Sequence, residues 1–309
     1  MITSITLNAA IDQIYEVGSL SAGSVNRVSS VNRDAGGKGM NVAKVVSCLG
    51  GSVDVGGFAG GMNGERIRQL LEERSIPSEL IPIAGESRVC LTVLDKTSGQ
   101  GTELLEGGPV ISESEWQTML DWLDRKSKDV SWFALSGSLP KGLKPDAYAE
   151  MIAILNKNGA KVVLDTSGEA LIKGLNAKPY AIKPNEQEIA DIIGKKAMSL
   201  ADLIEVGNQF VESGIEHVCF TLGGEGALIM NRKGSFAINA PNVPVVNTVG
   251  SGDAFVGGLL FGCATGEDVE TAYKRAVACG SVNATYKAIG FVDQKQVEAL
   301  MKEITINKI

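Results

Sequence analysis

Histidine is nearly missing from this chain: His217 is the only one among 309 residues. One imidazole, opening an apolar strand, leaves no material for Ser-His-Asp catalysis, paired-histidine zinc sites or histidine phosphotransfer. His217 is therefore read as structural. Neither Gly-x-x-x-x-Gly-Lys-[Ser/Thr] nor Gly-x-Gly-x-x-Gly occurs, which removes the P-loop NTPases and the dinucleotide-binding fingerprint. Cys48, Cys90, Cys219, Cys263 and Cys279 are odd in number, far apart and without a Cys-x-x-Cys pair. That pattern predicts reduced thiols and a cytoplasmic location. Positive charge is also short, 29 basic against 36 acidic residues for a net −7, so no electrostatic footprint for nucleic acid or an anionic membrane exists. No apolar run approaches 18 residues, and residues 1–7 lack the basic region and long apolar segment of a signal peptide. The expectation is no nucleic-acid and no membrane partner. Internal repeats, low-complexity tracts and flexible linkers are absent as well.

What the chain does have is an alternation of short apolar runs with helical stripes, the pattern of a mainly parallel sheet in an α/β fold. Runs at 2–7, 53–58, 132–135, 161–164, 180–182, 217–222 and 227–230 are expected as core strands. Several are too apolar to leave one face wet. Val42, Val45, Val46 and Leu49 mark one helical stripe, Ile67, Leu70 and Leu71 a second, Ile189, Ile192 and Ile193 a third. Segments 11–34 and 88–107 break the scheme, the latter reading as a hairpin of 89–94 with 102–105. Both are expected to form a small β-lid outside the main sheet of a single domain spanning 1–309, a device that excludes water from a site.

Chemistry concentrates in Gly250-Ser251-Gly252-Asp253, followed by an apolar helical run. The glycines permit a tight turn and close approach, and the helix N-terminus favours an anion. A carboxylate there repels a phosphate but suits proton removal from an incoming hydroxyl; the plain alternative is a helix cap. A second glycine cluster, Gly36-Gly37-Lys38-Gly39-Met40-Asn41, offers exposed backbone, a point charge and an amide able to bind sugar hydroxyls. Alone it would be read as a strand-to-helix turn. Asp12 and Ser138 follow strands at the sheet edge where α/β folds bind ligands, and Arg88 opens the second lid segment as a candidate phosphate clamp. Lys183-Pro184-Asn185-Glu186-Gln187-Glu188 starts a helix in which Asn185 and Glu188 fit either a hydrated Mg²⁺ site or a capping box. Thr221-Leu222-Gly223-Gly224-Glu225-Gly226 is a glycine turn fit for a nucleotide or for a hairpin.

In this order, the Gly36–Asn41 cluster, Ser136-Gly137-Ser138-Leu139-Pro140, the Lys183–Glu188 segment, Thr221-Leu222-Gly223 and Gly250-Ser251-Gly252-Asp253 resemble the ribokinase-like sugar kinases of the phosphofructokinase B type. The likeness covers essentially the whole chain. Thr6-Leu7-Asn8-Ala9-Ala10-Ile11-Asp12, Val25-Asn26-Arg27 and the stretch from Thr102 to Pro109 are most similar to the branch of tagatose-6-phosphate kinases and bacterial 1-phosphofructokinases. The resemblance implies a three-layer αβα sandwich with a β-sheet lid, ATP with Mg²⁺, and a ketohexose monophosphate as acceptor. It implies tagatose 6-phosphate first and fructose 1-phosphate as the alternative; fructose 6-phosphate, or a silent sugar-phosphate sensor, ranks behind. By the same resemblance Asp253 is the general base, with Gly250, Ser251 and Gly252 forming the anion hole. Asp12, Gly37, Asn41 and Ser138 meet the sugar, while Lys38 and Arg88, with Arg27 a further candidate, hold its phosphate. Lys183, Asn185 and Glu188 arrange ATP phosphates and magnesium. Thr221, Gly223, Gly226 and Asn283 border the nucleotide. Ala9-Ala10 departs from the Pro-containing turn common in these relatives, and Ser87 stands where threonine is frequent. An exposed lid strand would suit a homodimer.

Overall fold

The computed structural model describes residues 1–194 and 198–309. Strand β1 (Ile2–Thr6) leads into the antiparallel pair β2 (Ala10–Val17) and β3 (Val28–Gly36), then α1 (Lys38–Cys48), β4 (Val53–Ala59), α2 (Gly61–Glu73) and β5 (Ser78–Pro82). A second antiparallel pair, β6 (Arg88–Asp95) and β7 (Gly101–Leu105), follows. The chain continues through α3 (Glu113–Lys126), β8 (Trp132–Ser136), α4 (Ala147–Lys157), β9 (Lys161–Asp165), α5 (Gly168–Asn176), β10 (Ala181–Ile182), α6 (Glu186–Ile193) and α7 (Leu200–Ser213). It closes with β11 (His217–Thr221), β12 (Ala227–Asn231), β13 (Gly234–Ile238), α8 (Ser251–Thr265), α9 (Val269–Ala284), α10 (Gln294–Leu300) and β14 (Ile306–Lys308).

Ten strands form one sheet in the order β14-β13-β12-β11-β10-β9-β8-β1-β4-β5. From β11 to β5 each neighbouring pair is parallel, whereas β11 through β14 pair antiparallel. The pleat sorts side chains to two faces. Phe133, Leu135, Val162, Leu164, Val218 and Phe220 pack under α3, α4, α5, α6 and α7, while Ala134, Val163 and Cys219 join the opposite core with α1, α2, α8 and α9. Every expected core strand is present. The strands that apolar runs do not reveal are β5, β13 and β14. Of these, β5 and β14 lie at the two edges, where water tolerates polar residues such as Glu79 and Asn307. The strands of segments 11–34 and 88–107 do leave the main sheet: β3-β2-β6-β7 make a separate sheet of four. Among the described residues no helix is long and apolar enough to cross a membrane.

Helix α8, like the 39–46 stretch of α1, lies deep in the molecule. Its residues from Asp253 to Leu260 are buried on all sides, as an all-round apolar helix must be. Close packing there depends on paired glycines. A Cβ added at Gly257 would lie 2.8 Å from Val45 of α1, and one at Gly258 would lie 2.9 Å from the Arg275 carbonyl of α9. Filling such a contact forces backbone shifts that cost about 1–3 kcal/mol. Gly257→Val is therefore expected to lower the unfolding free energy by that amount, read as a lower urea midpoint at constant m-value; an unchanged midpoint would show that α1 and α8 can separate freely.

Candidate active site

The carboxyl ends of the parallel strands converge on one cavity of about 1200 Å³, the place where open α/β sheets leave room for ligands. Asn8 follows β1, Gly137 and Ser138 follow β8, Thr166 and Ser167 follow β9, Lys183 and Asn185 follow β10, and Gly223, Gly224 and Gly226 follow β11; all of them line the cavity. The small sheet contributes Asp12, Arg88, Cys90, Thr92 and Glu103 to its wall. Two helices aim their N-termini at this space. Helix α1 starts after Gly37 at φ 109° and α8 after Gly250 at φ 81°, backbone angles natural only to glycine, and neither has a side-chain cap. By contrast, Ser112, Asn185 and Ser199 close the N-termini of α3, α6 and α7 with capping boxes. Uncapped amides beside a cavity remain free to receive an anion.

Asp253, on the first turn of α8, accepts a hydrogen bond of 2.8 Å from Asn41 Nδ2 on the first turn of α1. Burial, reinforced by the nearby Asp165 carboxylate, pushes its pKa up to about 7, against the pull of Lys38, Asn41 and Lys183. Such a value suits a general base at neutral pH. Asp165, at the end of β9, gathers both lysines: Lys38 Nζ lies 3.1 Å and Lys183 Nζ 3.4 Å from its Oδ1. Burial alone would raise the Asp165 carboxyl, but Lys183 and Lys38 hold it below the usual carboxylate range. Burial opposes the charge of Lys38, yet Asp165, then Asp253 and Glu188, hold its pKa above the ordinary lysine value. Asp12 is raised to about 6 by burial, with Lys44 opposing and Asp34 adding to the shift.

The two glycine clusters thus meet, and most of the expected residues fall around their junction. Asp12, Gly37, Lys38, Asn41, Arg88, Ser138, Lys183, Asn185, Thr221, Gly223, Gly226 and Gly250 to Asp253 all line the cavity. Arg88 is aimed by two carbonyls, Asn8 O at 3.2 Å from Nε and Glu106 O at 3.1 Å from Nη1. Ser138 Oγ accepts from Asn8 Nδ2. Other placements differ from expectation. Lys38 turns its ammonium to Asp165, with Glu188 Oε1 at 4.0 Å, rather than toward Arg88. Asn185 and Glu188 form the reciprocal capping box of α6, which occupies Asn185 Oδ1 and Glu188 Oε2 and leaves Glu188 Oε1 toward Lys38. Asn283 is fully buried, and its amide bridges the Val249 carbonyl and the Gly290 N–H, bracing the loop before α8 without lining the cavity. Arg27 does not line the cavity of this chain either. It is exposed in the β2–β3 connection, at the opposite end of β3 from Gly36 and away from the cavity wall.

Several residues of the site escaped motif reading, Asp165 behind the cavity wall among them. Asp165 carries a legible signal, an aspartate ending the apolar run Val162-Val163-Leu164 at a strand's carboxyl end. Ala240, Pro241, Asn242, Val243 and Val245 form one wall from a segment without regular structure. Val277, Gly280, Ser281 and Ala284 form another from α9, where small residues leave space beside α8.

A buried carboxylate, open helix N-termini and clustered lysines at the carboxyl edge of a mostly parallel sheet suit a small-molecule phosphotransferase. The chain belongs to the pfkB family of carbohydrate kinases, whose model matches residues 4–295. It is 35% identical to tagatose-6-phosphate kinase of Staphylococcus epidermidis, over the full length of both chains. It is 34% identical to 1-phosphofructokinase of Escherichia coli, covering 99% of this chain and 97% of that one. Phosphofructokinase-2 of Escherichia coli, solved with potassium, superposes with a TM-score of 0.93 at 25% identity over 98% of each chain. A ribokinase of Thermotoga maritima shares the fold, with a TM-score of 0.79 at 21% identity over 98% of this chain and 99% of that one. The resemblance read from the motifs is thus confirmed at the level of family and ribokinase-like fold, and the protein is an ATP-dependent carbohydrate kinase.

The raised Asp253 pKa sets the expected pH dependence. A base is active only when deprotonated, so kcat/KM for the acceptor should fall as pH drops through about 7. A pH–rate series checks this, and a limb centred in the ordinary carboxylate range near pH 4 would mean that Asp253 is not the titrating group.

Proposed function

We propose that this kinase phosphorylates a ketohexose monophosphate to a bisphosphate, with tagatose 6-phosphate as acceptor and its C1 hydroxyl as nucleophile. The observation that carries the reading is that Asp253, a buried base at an uncapped helix N-terminus, shares one cavity with the carbonyl-aimed Arg88. In the proposed step Asp253 takes the hydroxyl proton as the oxygen forms its bond to the γ-phosphorus of ATP. The bond from that phosphorus to the bridging oxygen breaks, and ADP leaves. The amides of Gly250 to Asp253 receive the developing charge. Arg88, with a planar fork suited to phosphate, holds the phosphate already on the sugar. Asp12, Gly37, Asn41 and Ser138 surround the hydroxyls. Lys38, drawn toward Asp165 and Asp253, neutralises the group in transfer. Lys183, Thr221, Gly223 and Gly226 border the nucleotide.

Mg²⁺ fits this donor set as a largely hydrated ion. Asp165 Oδ2 is buried with no hydrogen-bond partner among the described residues, and Glu188 Oε1 is not used by the capping box. Because magnesium keeps several waters and takes few protein oxygens, Glu188 and Asn185 would hold it through water, where it offsets phosphate charge. The relative in Escherichia coli supports fructose 1-phosphate as the second reading, since its identity differs by a single percentage point from that of the tagatose-6-phosphate kinase. A homodimer through the small sheet is also proposed. Val31 and Leu104, on its edge strands β3 and β7, are exposed apolar residues, of the kind a second copy covers. Light scattering on the eluting protein reads that state directly, and a monomer at micromolar concentration would reject it.

Initial rates on tagatose 6-phosphate, fructose 1-phosphate and fructose 6-phosphate, followed as ADP release, test the assignment. Turnover on none of them would reject it. Asp253→Asn is expected to keep the fold and slow turnover by ~10²–10⁴, while Arg88→Ala raises the acceptor KM roughly 10- to 100-fold with the ATP KM unchanged. Near-normal rates in the first variant, or an unmoved acceptor KM in the second, would remove those residues from their roles.

A further inference from the structure

Asn41 can support or oppose Asp253 depending on which end of its amide faces the carboxylate. The two ends have nearly the same shape but opposite character, one a double donor and the other an acceptor. Its second neighbour settles the choice. Lys44, one turn further along α1, places Nζ 3.2 Å from Asn41 Oδ1 and 2.9 Å from Asp34 Oδ2. An ammonium only donates. Asn41 must therefore give Lys44 its oxygen, which leaves Nδ2 for Asp253 at 2.8 Å. Were the amide reversed, an oxygen would face the carboxylate, and two acceptors at that distance repel unless a proton intervenes.

Lys44 is an unusual residue to find here, since it is only 2% exposed. A buried ammonium is costly and persists only with charged and hydrogen-bonding partners. Asp34, on β3 of the small sheet, is the charged one. It is itself held by Arg74 at the end of α2, through Nε at 3.0 Å and Nη2 at 2.8 Å. A continuous chain of contacts thus runs from Arg74 through Asp34, Lys44 and Asn41 to Asp253, joining the seat of the small sheet to the base.

We infer that Lys44 is a positioning residue for phosphoryl transfer: by donating only to an oxygen, it fixes the Asn41 amide so that Asp253 always meets a donor. The inference deepens the proposed function and rests on Asp253 being the base. Lys44 does not touch the reacting groups and acts through Asn41. The other charged groups facing Asp253 are Asp165 from β9, Lys38 from α1 and Lys183 after β10. Those facing Lys44 are Asp34 and Asp12 from the small sheet.

Two substitutions separate orientation from simple packing. Lys44→Arg remains a donor and keeps the charge. Lys44→Gln has similar length and stays polar, but its own amide both donates and accepts, so it no longer dictates which way Asn41 turns. Steady-state kinetics on the ketohexose phosphate that the wild type prefers are expected to give Lys44→Arg within about threefold of wild-type kcat. Lys44→Gln should lose kcat on the order of tenfold, the scale of one charge-assisted hydrogen bond, with the ATP KM unchanged. Because the effect passes through Asn41, Lys44→Gln should change kcat by less than about twofold in an Asn41→Ala background. Thermal melts accompany each variant, and Lys44→Met takes the place of Lys44→Gln should the latter not fold. Wild-type kcat in Lys44→Gln, or an equal loss with and without Asn41, would overturn the positioning role while leaving the kinase reading intact. A wild type inactive on every ketohexose phosphate would overturn both.

Discussion

A carboxylate buried at the start of a helix is the constraint around which this molecule is arranged. Asp253 is 6% exposed, and an unpaired charge so placed is costly. Among the described residues its one direct side-chain hydrogen bond comes from Asn41, 212 residues away in sequence. Bringing the two together requires α1 and α8 to lie side by side with their N-termini level, and Gly257 permits that approach by leaving room for Val45. The same neighbours that let Asp253 stay in place, Lys38 and Lys183 on one side and Asp165 on the other, hold its proton affinity near neutrality. Fold and chemistry are set by one set of contacts.

Capping shows the division of labour between helices. Helices α3, α6 and α7 close their N-termini with their own side chains, which satisfies the free amides locally and lends stability. Helices α1 and α8 begin instead at left-handed or otherwise strained glycines with no cap. An uncapped terminus forgoes roughly 1 kcal/mol of local stabilisation and keeps its amides for a ligand. Both open terminal regions face the cavity, and α6, whose cap Asn185 also borders it, turns the Glu188 carboxylate toward Lys38.

Much of this was legible in the residues. The apolar runs located all seven expected core strands because strands covered on both faces must be apolar on both, antiparallel β12 as much as the parallel ones, and the glycine clusters located both helix starts. What stayed hidden has physical reasons. Strands β5 and β14 run along the edges, where solvent relaxes the apolar requirement. Segment 240–245 lines the cavity without a repeating pattern, so periodicity offers no handle on it. Asn283 entered only through the family resemblance, and nothing local in the sequence showed that both ends of its amide brace a loop. Lys38 has a long, flexible stem, and nothing in its local sequence indicated that Asp165, 127 residues away, would claim the ammonium.

Sequence by itself determined the class of fold, the family and the chemical types gathered at the site, because hydrophobic period, glycine placement and motif order are properties of the chain taken locally. Tertiary structure alone decided which of those groups meet. Charge pairing, amide orientation and the elevated proton affinity of Asp253 depend on distances between distant elements and on the exclusion of water. Lys44 belongs wholly to that second category: along the chain it is one more lysine on a helix, and only burial between Asp34 and Asn41 gives it a direction to impose.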